Sequence, residues 1–389
     1  MKIIHIITSL SNGGAETMLY KLLLKMNKVH FESKVINLIE RGPICDRIEA
    51  LDIPVDSVEM KRGIPTLTKM CQLFKIIKEY EPAIIQGWMY HSNLLALFYK
   101  IIARSEVPVL WNIRGSHTVL HKEKLLTAGT IWISAKLSGL PERIINNSRR
   151  SAISHEKKLG FSSDRLTIIP NGFDLNIFIP SQESRIKIRK EINLPLDTFL
   201  IGMVGRYHPM KDHTNFLQAI SILHKRNPNV HFILAGTGVD MENNEIAGQC
   251  KRLNIQSNVI HLLGERNDIP ELTAALDIAS CSSYSEGFPN VIGEAMSCGV
   301  PCVVTDVGDS ALIVGNFGKI VPPRNPLALA EAWSELIKIG SEKRISMGKL
   351  ARQRIVENFS LDAIVQQYEK LYEEVFSAIN FKNGSHIVP

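Results

Sequence analysis

The segment Ser285-Glu286-Gly287-Phe288-Pro289-Asn290-Val291-Ile292-Gly293-Glu294 carries two carboxylates around a Gly-Phe-Pro turn. Proline suits the first position of a helix, which leaves Glu286 in the approach loop and Glu294 in the second turn. Carboxylates accept hydrogen bonds from sugar hydroxyls, and the free N–H groups of a helix start suit a phosphate. The plainer alternative is two acids that complement a helix dipole. A second group is Gly205-Arg206-Tyr207-His208-Pro209-Met210-Lys211-Asp212. There a planar fork (Arg206) and a compact charge (Lys211) follow an apolar run, as a diphosphate would require; two solvated loop cations are the other reading. In Gly13-Gly14-Ala15-Glu16, glycine lets a ligand approach the backbone beside a helix start, or simply makes a tight turn. His91, in Trp88-Met89-Tyr90-His91-Ser92-Asn93, follows a strand and is either a ligand group or a structural imidazole.

These groups need rigid elements behind them. Lys2–Ile7, Ser33–Leu38, Ala83–Gln86, Val107–Asn112 and Arg143–Asn146 read as short apolar strands, with helical periodicity over Leu67–Tyr80 and His91–Ala103. The pattern restarts at Phe199–Val204, followed by a helix over Thr214–His224. Further strands are expected at Val230–Ala235, Val259–Leu262, Ile278–Cys281 and Cys302–Thr305. The alternation predicts two α/β, doubly wound Rossmann-like domains, 1–180 and 181–360, facing a central cleft, with a final helix at 361–378 that packs back on the first. Ligands of such sheets bind outside the carboxyl ends of the strands, so loops that follow strands are where to look.

Length and composition agree. The 389 residues are 45% hydrophobic and 22% charged, a soluble balance with ample core. The net charge of +6 is uneven: residues 1–180 hold 24 basic and 16 acidic side chains, and the remaining 209 hold 21 and 23. A basic first half suits anionic ligands or surfaces. Six cysteines show no CxxC or zinc spacing, so buried free thiols in a reducing compartment are expected. The start reads as a strand rather than a secretory leader, and no apolar run is long enough to span a bilayer. A basic apolar stretch, Val119–Leu140 with Lys122, Lys124, Lys136, Leu125, Leu126, Ile131 and Trp132, predicts either peripheral contact with an anionic membrane or an ordinary packed helix. There is no GxxxxGK[ST] loop, HExxH, GxSxG or Asp-x-Asp pair, and no nucleic-acid-binding module.

Taken in order, Gly13-Gly14-Ala15-Glu16, Ile169-Pro170-Asn171-Gly172-Phe173-Asp174, Gly205-Arg206 with Lys211, Glu286 through Glu294, and Cys298-Gly299-Val300-Pro301 resemble the GT-B-fold glycosyltransferases of family 4 over nearly the whole chain. The acidic pair Glu286 and Glu294 matches that family's EX7E motif. The resemblance implies a retaining enzyme with a nucleotide sugar on the C-terminal domain and the acceptor on the N-terminal one. Arg206 and Lys211 would then hold the donor diphosphate and Glu294 the ribose. Glu286 would meet the transferred sugar, helped by backbone N–H groups from Phe288, Asn290 and Val291, while Gly13 and Gly14 close over the phosphates. Family members often carry His in the loop after the strand that ends at Asn112. Here Arg114 stands at that place and His117 three residues later, so either is a candidate catalytic group.

The resulting expectation is a metal- and cofactor-independent hexosyltransferase. It moves a sugar from a nucleotide diphosphate, UDP on family frequency, to a saccharide or polyprenyl-diphosphate-linked acceptor in surface polysaccharide or O-antigen assembly. Its expected place is the cytoplasm, at the inner face of the membrane. A nucleotide-sugar epimerase on the same fold, or a non-catalytic saccharide- or lipid-binding scaffold, are the alternatives.

Overall fold

Six of the seven residues that open the chain are apolar or buried in a run, and a run buried on both faces belongs inside a parallel sheet. The computed structural model describes residues 1–11, 13–61, 65–115 and 124–382, and divides them into two compact units. Unit 1 runs from Met1 to Gly172 and resumes at Leu361; unit 2 is Phe173–Ser360.

Unit 1 holds seven parallel strands: β1 (Lys2–Ile7), β2 (Glu32–Asn37), β3 (Val55–Ser57), β4 (Ile84–Trp88), β5 (Val109–Ile113), β6 (Arg143–Asn146) and β7 (Leu166–Ile168). Their order is β3-β2-β1-β4-β5-β6-β7, with His5 of β1 registered between Val35 and Gln86. The order reverses between β1 and β4, and parallel neighbours require helical crossovers that cover both faces. Two apolar clusters lie accordingly on the two sides of the sheet.

The helix Leu361–Lys382 belongs to this unit. Tyr368 and Tyr372 are fully buried in the cluster that includes Ile3, Leu19 and Trp88. Lys25 pairs with Asp362 at 3.2 Å, and the Glu369 carboxylate accepts the Asn27 N–H at 2.7 Å.

Unit 2 holds β8 (Phe199–Val204), β9 (Val230–Ala235), β10 (Ile260–Leu262), β11 (Ile278–Cys281), β12 (Cys302–Thr305) and β13 (Gly318–Val321), in the order β10-β9-β8-β11-β12-β13. Its reversal lies between β8 and β11. Phe173 begins this unit because its ring stacks on Phe288 at 6.2 Å, against Gly293, where any side chain would collide with it. Arg189 is fully buried and pairs with Asp277 at 2.8 Å, which also accepts the Leu200 N–H and so ties the helix Gln182–Glu191 to β8.

The strands that sequence periodicity omits are β3, β7 and β13, each only three or four residues long and each at a sheet edge. A period of two cannot be read from so few positions. Five cysteines are buried and Cys71 is exposed; all six are free thiols. No described helix is long and apolar enough to cross a membrane.

Candidate functional site

In unit 2 the strand order reverses between β8 and β11, so the loops after these two strands part and leave a crevice at their carboxyl ends. The β8 loop enters it through Gly205, whose neighbour Gly236 has φ +150° and packs so closely on the Gly205 carbonyl that no side chain fits. Tyr207 N–H donates to Thr237 O at 2.8 Å, which fixes the loop on β9. Arg206 between them is exposed, with no side-chain hydrogen bond or ion pair among the described residues. Pro209–Lys211 forms one 3-10 turn, and Asp212, left-handed at φ 53°, caps the helix His213–His224 by accepting the Asn215 N–H at 3.2 Å.

The β11 loop meets this turn. Ser282 Oγ donates to the carbonyls of Lys211 (2.9 Å) and Asp212 (3.1 Å), and Tyr284 N–H to Met210 O (2.9 Å). Lys211 Nζ lies 2.7 Å from Glu286 Oε1, and Ser283 Oγ donates to the same oxygen at 2.7 Å. The two side chains are 22% and 15% exposed. Burial is the largest influence on the Lys211 pKa and works to lower it, but the charge of Glu286, the Cys281 thiol and the hydrogen bond to Glu286 together outweigh it and hold the ammonium above its ordinary value. His213, buried beside Lys211 and against Tyr207 (5.1 Å between rings), is pushed down to about 4, first by burial and then by the lysine charge. The positive charge of this edge therefore rests on Lys211 and Arg206 and not on the imidazole.

The helix behind the β11 loop spans Asn290–Ser297, with Pro289 as its N-cap, one residue later than the sequence suggests. Glu294 is half-buried in its second turn and borders a small pocket with Gly202, Val204 and Val291. The Phe288 side chain faces away from any ligand, 7% exposed in the core against Phe173 and Phe359, so only its backbone is free to serve one. Asn290 opens the helix.

Two contributors to this edge escape the sequence reading. Gly308, after β12, has φ +50° and lies on the carbonyls of Glu286 and Gly287, while Asp309 N–H donates to Gly287 O at 2.9 Å. Arg324, after β13, stacks over Tyr284 at 4.2 Å, and its charge reaches Asp212. Both follow strands, and that position is the signal that identifies them.

Unit 1 has its own carboxyl edge. Gly13 caps the helix Gly14–Lys25. The Glu16 carboxylate folds back over Gly13 toward its own N–H and that of Ala15, and burial raises its pKa against those bonds. Nothing crowds Gly14. His91, in the first turn of the helix Met89–Ile102, is half-buried, 3.3 Å from Thr130 Oγ1, and burial lowers its pKa.

Arg114 follows β5. Its guanidinium bonds Tyr368 OH (2.9 Å), Asn112 Oδ1 (3.3 Å) and Asn171 Oδ1, and lies 5.5 Å from the Trp88 ring centre. Asn147, after β6, donates to Asn171 at 3.2 Å. His117 lies outside the described residues, as do Lys122 and the start of the basic apolar stretch. The described part forms the helix Leu125–Leu137. It is apolar on both sides: Ile131 is buried, while Leu125 (88% exposed), Leu126, Trp132 (56%) and Ile133 face outward. Its lysines, Lys124 and Lys136, sit at the two ends rather than along one face. Among the described residues no His, Cys, Asp and Glu group is arranged to hold a metal.

Residues 12–177 match the family model described as Glycosyltransferase Family 4, and residues 198–338 match that described as Glycosyl transferases group 1. The chain is 28% identical over 358 residues, 87% of this chain and 88% of the other, to the Escherichia coli UDP-Gal:alpha-D-GlcNAc-diphosphoundecaprenol alpha-1,3-galactosyltransferase. Its fold is similar to Anabaena HepE solved in complex with UDP, at TM-score 0.84 and 23% identity over 96% of this chain and all of that one. It is also similar to a Rickettsia africae glycosyltransferase, at TM-score 0.81 and 19% identity over 96% and 98% of the two chains.

Proposed function

We propose, from the family 4 and group 1 glycosyltransferase models that match its two halves and from its GT-B fold, that the chain is a retaining hexosyltransferase that uses a UDP-sugar and a lipid-diphosphate-linked saccharide acceptor. The observation that carries this reading is the contact of Lys211 with Glu286 at 2.7 Å, which joins the loops on either side of the β8/β11 reversal. A cation for a diphosphate and a carboxylate for sugar hydroxyls occupy one crevice. In this reading Arg206 and Lys211 grip the donor diphosphate, with N–H groups from Phe288 to Val291 and the loop at Gly13 and Gly14 adding donors. Glu294 bonds the ribose and Glu286 the transferred sugar.

The C1–oxygen bond to the diphosphate breaks as the acceptor oxygen bonds C1 on the same face. The acceptor proton passes to the departing phosphate oxygen, so no enzyme nucleophile is consumed. Charge builds on that phosphate, and preorganised cations stabilise it most in the transition state. Neither a metal nor another cofactor is needed where Arg206 and Lys211 supply the positive field, and transfer should persist in excess EDTA. UDP as carrier and a diphosphate-linked acceptor are supported by what the Escherichia coli relative is named for. Arg114 and His117 serve the reacting groups from unit 1, and His91 the acceptor.

Bacterial surface polysaccharide or O-antigen assembly at the inner face of the membrane fits such an acceptor. The outward Leu125, Leu126, Trp132 and Ile133, flanked by Lys124 and Lys136, fit peripheral contact with an anionic bilayer. Flotation with anionic liposomes tests that contact, and no binding at low salt removes it. For the reaction, radiolabelled UDP-sugars are incubated with a GlcNAc-diphosphate lipid and related acceptors. A product with retained anomeric configuration supports the assignment; conversion of the donor without acceptor, or no turnover of any donor, refutes it.

A further inference from the structure

Several half-buried cations in this protein have negative partners. Lys211 has Glu286, Lys100 has Glu142, Arg185 and Arg189 share Asp277, and Arg266 has Glu191 and Asp268. Other arginines bond carbonyls at helix ends: Arg352 reaches Ser297 O, Arg344 reaches Leu336 O and Ile337 O, and Arg354 reaches Leu312 O and Ile313 O. The negative pole of the helix dipole compensates such a cation.

Arg114 has neither kind of partner. Its three acceptors are the amide oxygens of Asn112 and Asn171 and the phenol of Tyr368, all neutral, and no described carboxylate pairs with it. Nε is buried without a partner. The Trp88 face, 5.5 Å away, supplies only the weak attraction of a ring quadrupole. The cage members hold one another: Tyr368 stacks on Trp88 at 6.5 Å and also accepts from Asn112 Nδ2 at 2.9 Å, while Asn147 holds Asn171. Four neutral groups thus orient a guanidinium at the carboxyl edge of β5, and among the described residues none cancels its charge. A partly desolvated cation held this way is complementary to an anion, and its fork matches two phosphate oxygens. A sugar hydroxyl would bring no charge to it.

We infer that Arg114 is the centre of an anion subsite in unit 1 that takes a phosphate oxyanion of the bound ligand. The inference rests on the glycosyltransferase reading for the source of that phosphate, which is the diphosphate of the lipid-linked acceptor or that of the donor. Asn171 and Tyr368 are its positioning residues, since they act through the guanidinium.

The test uses binding, so it reads out whether or not the right sugar acceptor is at hand. Dissociation constants for UDP, and for inorganic pyrophosphate at saturating UDP, are measured by calorimetry on the full chain, on Arg114→Gln and on Arg114→Lys. Gln keeps an amide donor for the cage, and Lys keeps the charge. A loss of tenfold or more in pyrophosphate affinity in Arg114→Gln with UDP affinity unchanged, largely restored in Arg114→Lys, assigns the site to the acceptor's phosphate. A tenfold loss in UDP affinity instead assigns it to the donor's.

Unchanged affinities for both ligands in a folded Arg114→Gln overturn the subsite. If the variant does not fold, the wild-type protein still decides. Pyrophosphate with UDP should slow phenylglyoxal modification of Arg114 severalfold, read by peptide mass, and equal rates with and without ligand overturn the proposal. Failure of the functional reading is distinguishable, because it is absence of sugar transfer while these binding results stand.

Discussion

Lys211 in unit 2 and Arg114 in unit 1 are both half-buried cations at the carboxyl edge of a parallel sheet, yet they are stored differently. Lys211 waits in an ion pair, with Glu286 at 2.7 Å and Ser283 on the same oxygen. Arg114 waits in a cage of amides, a phenol and an indole, with no carboxylate among the described residues. An ion pair must be loosened before its cation serves a ligand, so ligand binding there also frees a carboxylate for a second task. A cage of neutral groups frees nothing; it holds charge ready and is completed by an anion. One edge is built to exchange partners, the other to receive one.

The largest expected effect tests the exchanging edge. Lys211→Ala or Glu294→Gln should lower sugar transfer by about a hundredfold or more, the scale of losing an electrostatic contact made in the transition state. Near-normal turnover in both would sink the site. Glu286→Gln is the sharper probe, because it removes the carboxylate and leaves the lysine unpaired. Transfer should drop by roughly ten- to a hundredfold while UDP binds at least as tightly as in the wild type. Weaker UDP binding would mean that Glu286 positions Lys211 rather than competing for it.

Gly308→Ala should act through the loop alone. At φ +50° a side chain would meet the carbonyls of Glu286 and Gly287, at a cost of about 1–3 kcal/mol. Kinetics should show kcat falling, and calorimetry the accompanying loss of stability. Gly14→Ala is the smallest structural change, since nothing lies within reach of an added methyl. Its melting temperature should match the wild type, and only a change in donor KM would implicate backbone approach at that loop.

Proton uptake separates the units in another way. His5 in unit 1 is fully buried and pushed down to about 3, and His213 and His261 in unit 2 to about 4, each mainly by burial. Their folded values lie below that of an unfolded histidine, near 6.5. Above that pH they contribute no pH dependence. As pH falls below it the unfolded chain takes up protons that the folded chain refuses, and stability declines by about 1.4 kcal/mol per pH unit for each group. The decline levels off near pH 4 for the two in unit 2 and near pH 3 for His5. Denaturant titrations between pH 7 and 4 should show this loss, and His261→Gln should reduce its slope. For Lys211 the sign is opposite: with its folded value raised, its contribution persists at neutral pH and disappears only as strongly alkaline pH deprotonates it.

Much of the site is legible before any coordinates. Pro289 with Glu294 behind it, and the Gly-Arg and Lys after an apolar strand, are local patterns, because helix starts and strand ends are set by residues within a turn of one another. The contacts that give those residues their chemistry are not local. Glu286, held by Ser283, reaches Lys211 across a long stretch of chain, and Gly308 supports the loop from a third strand. The helix Leu125–Leu137 makes the same point: its lysines suggest a charged face, but packing buries Ile131 and turns leucines and a tryptophan outward.

From the amino-acid order alone come the two alternating α/β patterns, the strand ends that must carry loops, and the acids and cations those loops contain, since backbone periodicity and turn chemistry are properties of neighbours. Only the tertiary structure decided that Tyr368, from the last helix, closes the cage around Arg114, and that Lys211 meets a carboxylate while Arg114, among the described residues, meets neutral groups. Charge compensation depends on distance in space, and folding brings together groups whose separation along the chain says nothing about it.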